Sequence, residues 1–411
     1  MQHNADRDSG AVVPHWLNDA FMLDIIQQAR SDYSIGLCHN CKFHRFEPRA
    51  NHSSVLFRTT VHFRSKRSPQ EQAISLVVKI EPQSVLLKNR SLFETEVRLY
   101  REVLPAMGRV LADAGENLDT PSLFYFAGKP TGVIVLEDLF PGGWIGGGEI
   151  KRFEDLQPVI DSIAKFHAAS FVLNKKSTSL SDISNVFMQN NVKGARDMFR
   201  QLFHSFADAV RNWEGFAQIG TKLQHLKPSF EDKLNQIYIP NRSGTDGPGY
   251  NVLNHGDFHA KNLLHKMKTS PGSTDRIERT ALIDFQLCHW GTPAIDVLYL
   301  LDLVIDRELK HTHQEQIVRQ YHRDFVDYVT RMGHLGWIPS LQDLLAELKR
   351  SAFLELFHIV IFEQFKYVDL SKVSVEDFVA GRAKNSGVNS EKFRSLARNE
   401  LRDLQHRGIL D

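Results

Sequence analysis

Several features are scarce in this 411-residue chain, and each absence argues against a class of protein. No run of about 18 apolar residues occurs, and the best candidate, AFLELFHIVIF, is short and carries Glu355 and His358. The N-terminal stretch MQHNADRDSGAVVPHW lacks the apolar segment of a signal peptide. Only three cysteines are present, which argues against a secreted disulfide framework. The sequence therefore predicts a cytoplasmic protein with no membrane partner.

The chain also lacks an excess of either charge. Its formal net charge of +1 provides no basic field, so nucleic acid is not an indicated partner. The hydrophobic fraction of 42% and the charged fraction of 24% are ordinary for a globular protein. A chain of this length has room for two domains, each with its own core.

The hydrophobic pattern changes along the chain. Alternating apolar residues predict strands over 55–63 and 74–80, and GVIVLEDL (132–139) predicts another. Between them, SLFETEVRLYREVLP (91–105) predicts an amphipathic helix that Pro105 closes. From about residue 151 the pattern is mainly helical. The fold class predicted is α+β, with a small mixed lobe before a larger helical one.

The strongest chemical signal is the stretch LNHGDFHAKNLLHK (253–266). Asp257 and Asn262 stand in the order D-x4-N, and Asp284 follows 22 residues after Asn262. In a kinase-like site the first carboxylate takes the proton of the acceptor hydroxyl, and the two later side chains bind magnesium. The runs NLLHK and TALIDF are expected to form a hairpin that brings these groups together. His255 is expected to be a structural hydrogen-bonding residue rather than a proton carrier.

A lysine in the first lobe is the candidate phosphate contact. In LVVKI, Lys79 alternates with apolar residues on a predicted buried strand, where an unpaired charge would be costly. Two glutamates of the following helix compete as its partner. Glu94 lies three residues after Ser91, which is the spacing of a capping box. Glu96 lies on the side of Phe93 and Tyr100, and it is therefore the expected ion-pair partner, with a surface position as the alternative.

The segments that carry the chemistry resemble the ecdysteroid kinase-like (CHK kinase-like) family, related to choline kinases and aminoglycoside phosphotransferases. They occur in family order over roughly residues 35 to 300, about two thirds of the chain. The matching segments are ANHSSVLFR (50–58), VVKI (77–80), FETEVRLYREVLP (93–105), VLEDL (135–139), AKFHAAS (164–170), HGDFHAKN (255–262) and DFQLCHWGTPAID (284–296).

The resemblance implies a two-lobed protein-kinase-like fold, with a nucleotide-binding lobe over 1–137 and a catalytic, acceptor-binding lobe over 138–411. It implies ATP and Mg²⁺ as cofactors and an alcohol group of a small molecule as acceptor, either an ecdysteroid-type steroid or a xenobiotic or plant alcohol. Trp290 and the helical insert of 171–240 are where it implies an acceptor pocket. The implied roles are Asp257 as catalytic base, Asn262 and Asp284 as metal ligands, Lys79, Glu96, Ser54, Glu137, Asp138 and Leu139 at the nucleotide, and His255 and Asp296 as structural support.

One departure from the family pattern keeps an alternative open. Where relatives have a glycine in the phosphate-covering loop, this chain has Arg49-Ala50-Asn51-His52, and no glycine occurs between Gly36 and Gly108. Glycine lets backbone N–H groups approach phosphate closely. A catalytically weak pseudokinase or a small-molecule-binding protein is therefore the alternative. A protein kinase is disfavoured, because no A-P-E motif follows DFQ.

Three further motifs are assigned no role in the chemistry. Cys38-His39-Asn40-Cys41, followed by His44, has a zinc-like spacing, but no second cysteine pair accompanies it, so ordinary thiols are expected. GGWIGGG (142–148) fits no phosphate-binding pattern and is expected to form a flexible lip. His167 in AKFHAAS is expected to be a core residue.

Overall fold

The computed structural model describes residues 13–46, 54–81, 90–128, 131–176, 179–185, 193–242, 249–268, 275–368 and 387–411. Helices and antiparallel strand pairs both occur in this part of the chain, as an α+β fold requires. The chain divides into two compact units, Met1–Val103 with Thr120–Ile145 and Leu104–Asp119 with Gly146–Asp411. Among the described helices, none combines the length and the apolar character that spanning a membrane requires.

The first unit is built on an antiparallel sheet. Its strands are β1 (Gly36–Leu37), β2 (His44–Phe46), β3 (Val55–Arg64), β4 (Gln72–Ile80), β5 (Leu123–Ala127) and β6 (Val133–Glu137), and its helices are α1 (Asp19–Arg30) and α2 (Arg90–Arg98). The sheet order is β1-β3-β4-β6-β5, and β2 pairs with β3 as well. A short strand, β7 (Trp144–Gly146), lies where this unit ends and the second resumes, and it is not a member of this sheet.

One face of this sheet and helix α1 form the core of the first unit. Phe57, Val61 and Phe63 alternate along β3 and are buried, as the period of two predicted. They belong to the same apolar cluster as Met22 and Ile26 of α1. Burial of alternate residues fixes the register of the strands, because a slip by one residue would turn the apolar face toward solvent.

The helix that begins at residue 90 does not end at Pro105, so the predicted end was wrong. A π-helical turn, Leu99–Val103, follows α2, and α3 (Leu104–Asp113) continues from it. A proline ring within an α-helix clashes with the carbonyl four residues earlier and removes one hydrogen bond. The π turn ends at Val103, two residues before Pro105, and its wider hydrogen-bond pattern includes the residue four positions before the proline.

The two units also differ in extent from the lobes 1–137 and 138–411. Leu104–Asp119 groups with the second unit, and the first unit continues to Ile145. In the second unit α3 contacts helix α4 (Gln157–Lys176). The Asp119 carboxylate accepts a hydrogen bond of 2.9 Å from Arg279 Nε, and its carbonyl accepts one of 3.0 Å from Leu282 N. These contacts hold the segment Leu104–Asp119 in the second unit, although it lies within the range 1–137 of the predicted first lobe.

The second unit is mainly helical. After α3 and α4 it contains α5 (Lys193–Arg211), α6 (Ala217–Leu226), α7 (Phe230–Tyr238), α8 (Ala294–Tyr299), α9 (Arg307–Arg331), α10 (Leu341–Ser351), α11 (Phe353–His358) and α12 (Glu391–His406). Its strands β8 (Val252–Asn254) and β11 (His289–Gly291) form a two-stranded antiparallel sheet, and β9 (Leu263–Lys268) and β10 (Arg276–Leu282) are antiparallel neighbours in another sheet.

The packing of α4 against α9 forms part of the core of the second unit. The ring of Phe171 contacts Phe325 edge to face, with 5.7 Å between the ring centroids. His167, one turn earlier, is fully buried and lies 2.6 Å from the Tyr321 hydroxyl through Nδ1. The prediction that His167 is a core residue is confirmed.

Candidate active site

The β9–β10 hairpin brings Asn262 and Asp284 close to each other. Leu263 and Leu282 are partners in the antiparallel register, and Ile283 N donates a hydrogen bond of 3.1 Å to Asn262 O. Asn262 is the residue before β9, and Asp284 lies two residues after β10, so both are at the same end of the hairpin. The hairpin expected from NLLHK and TALIDF is present.

Asp257 is held beside Asn262 by the side chain of that residue. Asn262 Nδ2 donates to Asp257 O and to Asp257 Oδ2, at 3.0 Å in each case. Asn262 is buried, whereas Asp257 is half-buried and can be reached by a ligand. The amide nitrogen of Asn262 is therefore used within the loop that carries Asp257.

Asp284 has a backbone conformation that few residues adopt. Its φ of 67° and ψ of 67° lie in the left-handed region, and among the described residues only Ser31 shares a positive φ without being glycine. Aspartate tolerates this region better than most residues, but a strain of order 1 kcal/mol remains. Such strain is retained where the surrounding structure holds a side chain in a required direction.

Asp296 binds the backbone of the loop that carries Asp257. Its Oδ2 accepts a hydrogen bond of 2.6 Å from His255 N, and its Oδ1 accepts one of 3.0 Å from Gly256 N. His167 Nε2 lies 3.0 Å from Oδ2, and Asp296 is fully buried. Burial by itself would raise the pKa of Asp296, but the hydrogen bond and charge of His167, the charge of His255 and the Gly256 N–H lower it below its usual value.

His255 and Gly256 shape this loop. Burial lowers the pKa of His255, and its Nε2 donates a hydrogen bond of 3.0 Å to the Ile283 carbonyl. Gly256 has a φ of 78°, and a Cβ at this position would lie 2.2 Å from Leu287 O. Only glycine fits there. The interpretation of His255 as a structural hydrogen-bonding residue agrees with these contacts.

In the first unit, the expected ion pair between Lys79 and Glu96 is present. Lys79 Nζ lies 2.5 Å from Glu96 Oε2, and the two side chains are 7% and 1% exposed. Glu94 is exposed, which agrees with the choice between the two glutamates. Lys79 lies on the face of β4 opposite Val78 and Ile80, as the alternation predicted.

The segment Glu137 to Leu139 uses most of its polar groups within the first unit. Glu137 N donates to Ser122 O at 2.9 Å, and Asp138 N donates to Ser75 O at 3.0 Å. The Glu137 carboxylate accepts from the Ser122 hydroxyl at 2.9 Å. By contrast, Leu139 N–H donates to no group in the part of the chain that the structure describes.

The Asp138 side chain is occupied as well. Its carboxylate pairs with Arg58 Nε at 2.8 Å and accepts from the Ser75 hydroxyl at 2.8 Å. Its side chain is only 1% exposed. A role for Asp138 at a nucleotide would therefore have to come from its backbone.

Ser54 is the one described residue of the expected phosphate-covering loop. It precedes β3 and is half-buried. Arg49 to Ser53 lie outside the described residues.

Residues that the sequence analysis did not assign also lie near Asp257. His259 Nε2 lies 3.5 Å from Asp257 Oδ1, and its Nδ1 accepts a hydrogen bond of 3.2 Å from Lys261 N. Tyr238 and Tyr299 are buried, and burial, together with the charges of Asp257 and Asp296, raises the pKa of both phenols. His259 could have been noticed within HGDFHAKN, but no local pattern connects the two tyrosines to the loop.

Two of the motifs without an assigned role have specific surroundings. Burial and the carboxylate of Asp19 raise the pKa of the Cys41 thiol to about 12, which favours the protonated thiol in the metal-free protein. Gly147 N donates to Leu263 O at 2.8 Å, and a Cβ on Gly147 would lie 2.3 Å from Ala260 O. Gly147 therefore packs against the backbone on both sides of Asn262. This packing differs from the flexible lip that was expected for GGWIGGG.

Trp290 lies in β11 opposite Leu253 of β8, and its N–H donates to Ile183 O at 2.7 Å. Its side chain is buried. The pairing places Trp290 across from the strand that leads into the Asp257 loop. An acceptor pocket at Trp290 and the 171–240 helices stays a prediction.

Comparison with known proteins gives a family. No curated protein matches the sequence. The model of the ecdysteroid kinase-like family matches residues 48–334, more than two thirds of the chain. This range includes Lys79, Asp257 and Asp284, so the match covers both groups of residues described above. The chain belongs to the ecdysteroid kinase-like family.

Proposed function

We propose that this protein is an ATP-dependent phosphotransferase that phosphorylates an alcohol group of a small molecule. The observation that carries the proposal is the half-buried Asp257 carboxylate, which Asn262 contacts at 3.0 Å in a loop held by the buried Asp296. A base of this kind needs a fixed position near the reacting hydroxyl, because small displacements reduce the rate strongly. Family membership supports the same reaction.

The donor atoms next to Asp257 fit a magnesium ion. Mg²⁺ prefers oxygen ligands, and the Asn262 amide oxygen and the Asp284 carboxylate are of that kind. Asn262 Nδ2 donates to Asp257, which leaves the amide oxygen as the atom for a cation. We therefore assign Asn262 and Asp284 as its ligands. When bound, the ion neutralises charge on the phosphate oxygens of the nucleotide.

The proposed chemistry at Asp257 is acceptance of a proton. The acceptor hydroxyl donates a hydrogen bond to the carboxylate, and its oxygen forms a bond to the γ-phosphorus as the bond to the ADP oxygen breaks. The hydroxyl proton passes to Asp257. His259 lies beside the carboxylate, with Nε2 at 3.5 Å from Oδ1.

The first unit is proposed to bind the nucleotide, and the two units to be the lobes of a protein-kinase-like fold. Lys79, held by Glu96, is the proposed phosphate contact, with Ser54 in the loop over the phosphates. Main-chain groups of Glu137 to Leu139 are the proposed adenine contacts. Within that segment Leu139 N–H is the best donor, since the other two N–H groups already donate to Ser122 O and Ser75 O.

The proposed acceptor is a steroid hydroxyl of the ecdysteroid type or a xenobiotic or plant alcohol. The experiment is transfer from labelled ATP, with magnesium, to a panel of steroid and phenolic alcohols. Asp257→Asn is expected to lower kcat by about 100-fold or more, since general-base catalysis contributes of that order. Asp327→Asn, at an exposed carboxylate on α9, is the matched control and should leave kcat unchanged. An active Asp257→Asn enzyme would remove the base from the proposal.

A second candidate is a protein that binds a nucleotide or small molecule without phosphoryl transfer. The absence of glycine between Gly36 and Gly108 favours it, because the phosphate-covering loop then lacks its usual backbone freedom. Both candidates predict that ligands raise the melting temperature. Stabilisation by magnesium and ATP with no phosphate ester from any alcohol of the panel would favour this second function.

A further inference from the structure

A group of metal-ligand side chains lies in the first unit, apart from the residues assigned to phosphoryl transfer. It consists of His39, His62 and Glu71, whose ligand atoms all lie within 4.8 Å of one another. His39 Nε2 is 3.4 Å from Glu71 Oε1, and His62 Nδ1 is 3.0 Å from the same oxygen. Two imidazole nitrogens thus converge on one carboxylate oxygen.

Three neighbouring strands bring these residues together. Leu37 of β1 pairs with Phe63 of β3, and Phe63 pairs with Gln72 of β4. Cys38 N donates a hydrogen bond of 2.8 Å to His62 O. His39 therefore follows the end of β1, His62 lies on the central strand, and Glu71 precedes β4. All three come from the same end of the sheet.

The distances suit tetrahedral coordination. With bonds of about 2.0 to 2.2 Å from zinc to nitrogen and oxygen, two ligands of a tetrahedral site are roughly 3.3 Å apart. The separations of 3.4 Å and 3.0 Å are close to this value. Small rotations of partly exposed rings would complete the site, and the side chains of His39 and His62 are 64% and 39% exposed.

We propose that His39, His62 and Glu71 bind a divalent transition metal ion, with Zn²⁺ as the best-fitting class. Two imidazoles and one carboxylate are a donor set that zinc accepts, whereas magnesium prefers oxygen alone. An ion there would connect β1, β3 and β4 and stabilise the first unit. It would be distinct from the magnesium assigned to Asn262 and Asp284.

The site would keep one side open. His39 and Glu71 line a surface cavity of about 760 Å³, together with residues such as Ser34 and Pro69. Three protein ligands and an open side leave room for water or an added ligand at a fourth position. Arg64 Nη2 lies 3.4 Å from Glu71 Oε2, so it contacts the other carboxylate oxygen and leaves Oε1 to the two rings.

The structure separates this group from the C-x2-C motif. Sequence spacing suggested Cys38, Cys41 and His44 as possible ligands and disfavoured them. The three side chains that converge instead combine His39 with residues 23 and 32 positions further along the chain. The two alternatives therefore name different ligands and can be tested against each other.

The first experiment measures Zn²⁺ binding to the full-length protein after treatment with a chelator. We expect one ion bound through this site, with the affinity lowered about tenfold or more in His62→Ala and in Glu71→Gln. Glu71→Gln nearly preserves the shape of the side chain, so its effect is separable from misfolding when the metal-free melting temperature is unchanged. His44→Ala is the matched control, an exposed histidine on a neighbouring strand, and should bind like the wild type.

The second experiment uses Co²⁺ as a spectroscopic probe for the ligands. Imidazole and carboxylate ligands give ligand-field bands without the intense thiolate charge-transfer band that cysteine ligands give. We expect a spectrum without that band, unchanged in Cys38→Ser/Cys41→Ser. A thiolate band, loss of the ion in the cysteine variant, or equal affinity in the wild type, His62→Ala and Glu71→Gln would each overturn the proposal. None of these measurements depends on phosphotransferase activity.

Discussion

Asp296 is the residue whose replacement should most directly test the account of the active-site loop. In Asp296→Asn one carboxylate oxygen becomes an NH2 group, in a position where Oδ1 faces Gly256 N and Oδ2 faces His255 N. Either orientation of the amide places two donors against each other. His167, 3.0 Å from Oδ2, also loses its charged partner.

The expected loss of unfolding free energy in Asp296→Asn is large because the side chain is buried. Asp296 is 0% exposed, so water cannot replace the lost contacts. A hydrogen bond to a charged group contributes about 1.5 to 3 kcal/mol, and breaking a buried charged network by removing one member costs about 3 to 5 kcal/mol. We expect the second unit to lose about 3 kcal/mol or more of unfolding free energy. Its melting temperature should then fall by roughly 6 °C, at about 2 °C per kcal/mol for a unit of this size.

The assay is thermal and urea unfolding of the wild type and two variants. The control is Asp306→Asn, because the Asp306 side chain also accepts a backbone hydrogen bond, from Leu309 N at 2.8 Å, at the N-terminus of α9. Asparagine caps a helix as well as aspartate does, so this variant should change stability by less than about 0.5 kcal/mol. An Asp296→Asn protein as stable as the wild type, or the same loss of stability in both variants, would contradict the role of Asp296 in holding the loop.

The pH dependence of this stability difference gives an independent check on the direction of the Asp296 pKa shift. Because the pKa of Asp296 is lowered in the folded state, its stabilisation is fully present above the unfolded value of about 3.9. It is lost as pH falls through the lower, folded value. The difference between the wild type and Asp296→Asn should therefore be largest near neutral pH and should shrink in acid. A difference that grows as the pH falls would contradict the assignment.

Two further predictions concern the close packing of Gly147 and the buried ion pair of Lys79 with Glu96. Gly147→Ala should destabilise the protein by about 1 to 3 kcal/mol in urea unfolding, because the new Cβ would lie 2.3 Å from Ala260 O. Gly148→Ala is the control and should not destabilise the protein, because a Cβ at that position would meet no atom within 4 Å. Lys79→Met should cost about 3 to 5 kcal/mol by leaving Glu96 buried without its cation, and adding Glu96→Leu should restore most of that loss. Equal stability of the two alanine variants, or a double variant no more stable than Lys79→Met, would contradict these expectations.

The parts of the site that local patterns determine could be predicted from the sequence. A period of two along β4 places Lys79 on the face opposite Val78, and the helical spacing of α2 selects Glu96 over Glu94. The hairpin between Asn262 and Asp284 follows from two apolar runs joined by a polar loop. In each case the relevant residues are on one element or on adjacent elements.

The parts that depend on packing could not be predicted in the same way. Pro105 indicated a helix end, but the π turn before it lets the helix continue. Gly147 was expected in a flexible lip, but it packs against the carbonyls of Ala260 and Leu263. The continuation of the helix depends on the hydrogen-bond pattern of the preceding turn, and the packing of Gly147 depends on residues more than 100 positions away. Neither can be read from the local sequence.

By itself, the sequence determined the α+β class, the family and the residues of the D-x4-N loop, because periodicity and short motifs depend only on nearby residues. The resemblance implied Asp296 as structural support, but only the tertiary structure decided that it accepts from the two backbone N–H groups of His255 and Gly256, and that His39 meets His62 and Glu71. The physical reason is that strand register and helix packing set contacts between residues far apart in the chain. Such contacts leave no periodic signal in the sequence.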